Sequence, residues 1–324
     1  MTTLDAIKYP VRRELEEFEA YFQKAMKSKV PLLGIITNYI YRRKGKQLRP
    51  LLVFLTAGMT GSINPSTYIA AGMIELLHTA TLIHDDVVDE AYERRGSYSI
   101  NALWRSKVAV LVGDFLLSKG LLLAIESEVS ELLRNMSEAV REMSEGELIQ
   151  IERSRRIDTD EPTYFDIIRK KTAALISSCT VNGAISAGAP AEDISRVKEI
   201  GLNLGMSFQI KDDLFDYQSK GILGKPIGND VKEKKLTLPL IHALEQTNGT
   251  TRHHILKQVR RSRNNADALR EVIDFVHASG GIEYAHRKMM EYKENAIDTL
   301  KSFPDNEYKT SLLQLADYIV ERNH

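Results

Sequence analysis

The chain is poor in the features that mark most specialised proteins. A single cysteine, Cys179, stands among 324 residues, so an intramolecular disulfide is excluded and a reducing compartment is expected. Only 9 prolines and 19 glycines interrupt it, and no linker rich in Gly, Ser or Pro occurs. Lysine plus arginine total 44 and aspartate plus glutamate 44, so bulk charge argues against a nucleic-acid partner. No run of 18 apolar residues is present, and Met1 to Pro10 has no apolar signal region. The expectation is a cytoplasmic chain without stable membrane insertion. A Walker-type glycine loop, a dinucleotide fingerprint and a zinc-spaced Cys/His set are also missing.

What is present is helical periodicity. Val11–Lys29 reads as an amphipathic helix with Leu15, Phe18 and Phe22 on one face. Asn64-Pro65 is a helix start, Asn as N-cap and Pro at the first position, and the pattern runs on to Glu90. A rod of about 39 Å, apolar on most sides, belongs at the centre of a bundle. Further helices are expected over Val108–Ile125, Val129–Glu152, Thr163–Ala187, Ile194–Asp216, Leu236–Gln246, Ala266–Ser279, Ile282–Phe303 and Glu307–Arg322. No segment alternates like a strand. Residues 1–324 are expected to form one all-α domain, an antiparallel helical bundle.

Two aspartate clusters carry the chemistry. Asp85-Asp86-Val87-Val88-Asp89 and Asp212-Asp213-Leu214-Phe215-Asp216 each place carboxylates at i, i+1 and i+4. The first and last of each triplet stack on one helix face, where like charges demand a cation. Oxygen ligands with no His or Cys partner suit Mg²⁺, which takes one or two carboxylates, waters and phosphate oxygens. Two such clusters facing each other would clamp a diphosphate. Apolar flanks (Leu82, Ile83, Val87, Phe208, Ile210 and Leu214 among them) argue against a merely solvated acidic patch.

Cations lie near both clusters: Arg94 and Arg95 after the first, Lys170-Lys171-Thr172 inside a helix, and Lys225 and Lys235 beside the second. Gln218 to Lys235 breaks the helical pattern with Gly221, Gly224, Pro226 and Gly228 and reads as a lid. Gly45-Lys46-Gln47-Leu48-Arg49-Pro50 reads as a second anion site. There Gly45 frees the backbone, and Lys46 and Arg49 share a face of a starting helix turn. His78 lies two turns before Asp85 on the same face.

Taken in order, these motifs resemble the trans-isoprenyl (polyprenyl) diphosphate synthases. The residues concerned are His78 to Glu90 with Arg94-Arg95-Gly96, Phe208 to Asp216, Gly45 to Pro50, Lys171-Thr172, and Gly224 to Asp230 with Leu236 to Pro239. The resemblance spans roughly residues 45 to 240 and points to the long-chain, octaprenyl-like type. It implies the isoprenoid-synthase fold, an all-α bundle around a deep central cavity, usually a homodimer. It implies Mg²⁺, three ions per active site, bound directly or through water by Asp85, Asp86, Asp89, Asp212, Asp213 and Asp216. Arg94, Lys171, Thr172, Gln209, Lys225 and Lys235 are then contacts of an allylic diphosphate. Gly45, Lys46, Arg49, His78 and Arg95 are contacts of isopentenyl diphosphate. Two departures stand out: Gln47 where many members carry a basic residue, and Lys234 where many carry Gly.

The implied reaction is metal-assisted ionisation of the allylic carbon–oxygen bond, followed by attack of the isopentenyl double bond. Helix geometry sets Thr81, Leu77 and Ile74 beneath Asp85, with Ala80 beside them. An aromatic at Ala80 or Thr81 shortens the product within the family. Both are small here, so a product longer than twenty carbons is expected. The alternatives are a geranylgeranyl-type short-chain synthase, a terpene cyclase or head-to-head synthase, and a catalytically silent partner subunit. A cyclase leaves Gly45–Pro50 unexplained, and a silent subunit leaves the intact aspartates unexplained.

Overall fold

The computed structural model describes residues 3–43, 45–94, 96–126, 129–217 and 228–322. In chain order its helices are α1 (Thr3–Lys8), α2 (Arg12–Ala25), α3 (Pro31–Arg42), α4 (Leu48–Thr60), α5 (Pro65–Val88), α6 (Ile100–Glu126), α7 (Ser130–Arg156), α8 (Glu161–Ile168), α9 (Ala174–Ser186), α10 (Ala191–Phe215), α11 (Asn229–Lys232), α12 (Leu238–Glu245), α13 (Gly249–Arg261), α14 (Ala266–Ala278), α15 (Gly281–Lys301) and α16 (Glu307–Glu321). The all-α expectation holds. Helices α1, α3, α11 and α13 were not expected from periodicity, and of α4 only a starting turn was; for α4 and α13 the composition explains why. Leu51 to Leu55 of α4 are buried without a break, so no apolar stripe exists, whereas α13 (GTTRHHILKQVRR) is polar almost all round.

Two local corrections bear on function. The helix expected over Thr163–Ala187 is broken into α8, a π turn at Arg169–Ala173, and α9. The loop after α5 is a two-residue antiparallel hairpin, β1 (Glu93–Arg94) on β2 (Ser97–Tyr98), with Gly96 at φ 69 in its turn.

The chain divides into two compact units. The first comprises residues 1–137, 178–198 and 303–312, the second 138–177, 199–302 and 313–324. In the first, Phe18 packs on Phe22 and edge-on to Phe54, and α5 lies buried along most of its length. Helix α5 starts as expected: the Asn64 carboxamide accepts from Ser66 N at 2.9 Å, and Pro65 opens the first turn. Gly113 lets α6 approach it, since a Cβ there would meet the His84 ring at 2.2 Å. In the second unit, Gly281 plays the same part, its missing Cβ making room for the Pro239 carbonyl. Among the described residues one helix, Ile100–Glu126, is long and apolar enough to cross a membrane by length and composition.

Candidate active site

Both aspartate clusters wrap the C-terminal turn of a long helix. Asp85, Asp86 and Asp89 close α5, and Asp212, Asp213 and Asp216 close α10. That is the negative end of the helix dipole, where carboxylates are least welcome and a cation is most stabilising. Helix α5 ends in a Schellman turn: Ala91 N–H donates to the Asp86 carbonyl at 2.9 Å and Glu90, at φ 51, to Val87. The turn leaves Asp89 exposed and Asp85 half-exposed while Asp86 is 3 % exposed.

The inward carboxylate of the first cluster is matched locally. Arg94 Nε donates to Asp86 Oδ1 at 2.7 Å from the hairpin. Burial still outweighs the arginine and holds the Asp86 carboxyl above the usual carboxylate range. Beside it, the His84 ring lies 3.3 Å from the Val110 carbonyl and 3.5 Å from Asp114 on α6.

The second cluster is held differently. Asp213 is 5 % exposed, accepting from the Tyr164 hydroxyl at 2.7 Å and from Gln209 Nε2 at 2.8 Å. Gln209 in turn accepts from the Thr172 hydroxyl at 2.7 Å. Burial, then the nearby charge of Asp230, pushes the Asp213 carboxyl well above its ordinary range. Asp212 pairs with Arg322 at 2.5 Å, and that guanidinium lies 4.0 Å over the Phe208 ring. Asp216 accepts the backbone N–H groups of Asn229 at 2.8 Å and Asp230 at 3.0 Å, so it anchors α11.

The π turn aims Lys171 and Thr172. One extra residue in the turn shifts them around the helix relative to an unbroken α8–α9, a device common at functional sites. Lys171 Nζ then donates to Gln150 Oε1 at 2.6 Å and pairs with Glu147, both on α7. Gly146 admits the close approach, for a Cβ there would lie 2.9 Å from Lys171 N. Lys170 faces Asp166 and Glu145 and is a structural cation.

The Gly45–Pro50 reading needs correction. Helix α4 begins only at Leu48, with Gln47 as its N-cap in the left-handed region (φ 56, ψ 39). Lys46 therefore lies outside the helix, exposed, and does not share its first turn with half-buried Arg49. His78 is buried in α5, as are Ile74, Leu77 and Ala80; Thr81 is partly buried. Lys235 pairs with Glu233 at 2.5 Å. Lys234 sits at φ 61, a conformation that glycine adopts without strain, which accounts physically for the glycine common at that position. Arg95, Lys225 and the stretch 218–227 of the expected lid lie outside the described residues.

Sequence reasoning missed Tyr164, Glu147, Gln150 and Arg322. Of these only Arg322 carried any signal, an arginine at the end of the last helical pattern.

A magnesium ion fits these donors. Among the described residues no three His, Cys, Asp or Glu side chains gather tightly enough to hold an ion unaided. Mg²⁺ needs no such cage, because one or two carboxylates with water and phosphate oxygens complete its shell. Buried Asp86 and Asp213, both with raised carboxyls, mark where positive charge is wanted.

The fold is the all-α isoprenoid-synthase type. The chain belongs to the polyprenyl synthetase family, whose sequence pattern matches residues 30–276. An all-trans-nonaprenyl-diphosphate synthase (geranyl-diphosphate specific) of Rhodobacter capsulatus is 36% identical over 315 residues, 97% of this chain and 96% of the relative. The crystal structure of a polyprenyl synthase from Caulobacter crescentus CB15, complexed with calcium and isoprenyl diphosphate, matches with a TM-score of 0.91 at 31% identity, covering 99% of this chain and 98% of that one. A geranylgeranyl pyrophosphate synthase from Bacteroides thetaiotaomicron matches with a TM-score of 0.85 at 38% identity, covering 99% and 100%.

Proposed function

We propose that this chain condenses isopentenyl diphosphate with an allylic diphosphate, farnesyl diphosphate being the expected primer. The product is an all-trans polyprenyl diphosphate longer than twenty carbons. The observation that carries the reading is the pair of carboxylate triplets at helix C-termini, where the helix dipole favours a bound cation. In this reading both carboxylate triplets serve one diphosphate, and residues 1–324 act as one catalytic domain. The calcium and isoprenyl diphosphate held by the Caulobacter relative support it.

Asp85, Asp86, Asp89, Asp212, Asp213 and Asp216 are the ligands of Mg²⁺ in this reading, directly or through water. When bound, Mg²⁺ supplies charge that stabilises diphosphate as a leaving group. Lys171, Thr172, Gln209, Arg94, Lys225 and Lys235 hold the allylic diphosphate. For Lys171 this requires exchanging Glu147 for phosphate, an exchange of one anion for another with a higher charge. Gly45, Lys46, Arg49, His78 and Arg95 hold isopentenyl diphosphate. The allylic carbon–oxygen bond breaks, the isopentenyl double bond forms the new carbon–carbon bond, and the proton it releases leaves with diphosphate. The apolar lining of Ile74, Leu77 and Ala80 keeps water from the cation.

A second copy of the chain is the expected partner. Val110, Leu111, Leu121, Leu122 and Ile125 form one exposed apolar stripe along α6. Sedimentation should return twice the 36.6 kDa chain mass, and a monomer at micromolar concentration would remove this part of the reading.

The test of the reaction is product formation from isopentenyl diphosphate with geranyl or farnesyl diphosphate. Asp85→Ala and Asp212→Ala should each cut turnover by at least about 10³-fold. Near wild-type turnover in either variant sinks the clamp. A twenty-carbon product is the second reading, favoured by the identity to the Bacteroides geranylgeranyl pyrophosphate synthase, and chromatographic sizing separates the two.

A further inference from the structure

The apolar first unit is interrupted at one level by polar side chains that the reaction does not use. Asn135 of α7 donates through Nδ2 to Ser178 Oγ at 3.0 Å and to Asn182 Oδ1 at 2.8 Å, both on α9. Asn182 is 0% exposed, Ser178 is 2% exposed, and Asn182 Nδ2 has no hydrogen-bond partner among the described residues. Turning the Asn182 carboxamide over would only bring two NH₂ groups face to face. Thr56 of α4, whose buried hydroxyl also has no partner among the described residues, lies against Gly183, the residue after Asn182, its Cβ 3.1 Å from where a Cβ of Gly183 would stand. A buried donor without an acceptor is costly, so such a group kept in a core invites a functional account.

Its level in the bundle can be read from hydrogen bonds. Ser186 Oγ donates to Thr67 Oγ1 at 3.0 Å, tying the end of α9 to the start of α5. Cys179, seven residues earlier on α9, feels the charge of Glu75, eight residues later on α5. The helices are therefore antiparallel, and Asn182 lies level with Ala71. Thr67 precedes Asp85 by about five full turns, so α9 packs on the same face of α5 that carries Asp85. Ala71 lies roughly 21 Å below Asp85 along the helix axis. Between them that face carries Ile74 and His78, both buried, and partly buried Thr81, while the small buried pair Ala70 and Ala71 marks its lower end.

From this placement we infer that Asn182, with Asn135 and Ser178, forms a polar floor that sets how far the growing isoprenoid tail can descend along α5. The inference rests on the elongation reading above. A hydrocarbon end pressed against this tier would bury amide and hydroxyl groups against carbon without giving them partners, so extension stops above it. Asn182 is thus a specificity-determining residue for product length, one that acts well below Ala80 and Thr81.

The experiment sizes the products made from farnesyl and isopentenyl diphosphates, alongside the initial rate of isopentenyl incorporation. Asn182→Leu keeps the volume and removes the polarity; Asn182→Ala removes both. Each should lengthen the main product by one or more isoprene units, with initial rate within about twofold of wild type. Ala71→Phe, one turn nearer the aspartates than Thr67, should shorten it. Should Asn182→Leu fail to fold, Ser178→Ala removes one acceptor with little loss of volume, and the same lengthening is expected. Unchanged product length in folded Asn182 variants of normal initial rate overturns the floor and leaves the elongation reading standing. A wild-type protein that incorporates no isopentenyl diphosphate overturns both, and the initial rate tells the two failures apart.

Discussion

The ends of α5 and α10 carry the same spacing of aspartates and solve the same electrostatic problem in opposite ways. At the end of α5 the buried Asp86 is answered by a full positive charge, Arg94, supplied eight residues downstream. At the end of α10 the buried Asp213 is answered by neutral donors, a phenol and a carboxamide, and the charge goes to its neighbour Asp212 through Arg322. A carboxylate with an ionic partner keeps its charge at a fixed cost. One held by neutral groups in a dry setting resists ionising until a cation arrives. In the proposed reading the second helix end is then the more responsive to metal, with Arg322 standing where part of the metal charge would go.

The largest effect that could break this contrast is at Arg322. Removing it by Arg322→Ala takes away the cation that competes for Asp212, so Mg²⁺ binding measured by calorimetry without substrate should tighten about tenfold. Arg322→Lys should fall between, since lysine keeps the charge but loses the planar stacking on Phe208. Unchanged metal affinity in Arg322→Ala would mean that the pair is ornamental and that both helix ends are equally ready for metal.

A smaller effect concerns pH in the metal-free protein. The folded Asp213 carboxyl has its pKa raised well above the ordinary value, chiefly by burial. The unfolded chain therefore releases this proton first. The contribution of Asp213 to stability is fully present below the ordinary carboxylate range and is lost as pH rises through the raised folded value. Denaturation midpoints of wild type should fall relative to Asp213→Asn over that window, and added Mg²⁺ should restore part of the loss above it. A difference between the two proteins that stays flat with pH would show that the neutral donors hold a charged carboxylate without strain.

The same contrast explains what could be read beforehand. The i, i+1, i+4 spacing and the Asn64-Pro65 start are local patterns, and the structure has both; Arg94, expected as a diphosphate contact, donates to Asp86 from eight residues away. Tyr164 and Arg322 reach the second cluster from 49 and 110 residues away, a separation at which local pattern carries no information. The π turn that aims Lys171 and Thr172 is equally silent, because it shifts register without changing composition. The αL N-cap at Gln47 is a third case, where the i, i+3 spacing of Lys46 and Arg49 suggested a helix turn that starts only at Leu48.

The smallest expected effect lies just beyond the second helix end, where Asp216 anchors α11 and the chain then turns at Lys234. That residue is held at φ 61, and the Lys235 N–H closes the turn on the Asp230 carbonyl at 2.8 Å. A β-carbon in the left-handed region costs about 1–2 kcal/mol, whereas glycine there is unstrained but loses roughly 0.5–1 kcal/mol more backbone entropy on folding. The net for Lys234→Gly is a gain of between zero and about 1.5 kcal/mol, read as a rise of up to a few degrees in thermal midpoint. The side chain is not in the proposed phosphate-binding set, so turnover should stay within about twofold of wild type. A destabilised variant would show that Lys234 earns its strained backbone through a side-chain contact. A stabilised variant with reduced turnover would show instead that the strain itself helps to position Lys235 beside the second aspartate cluster.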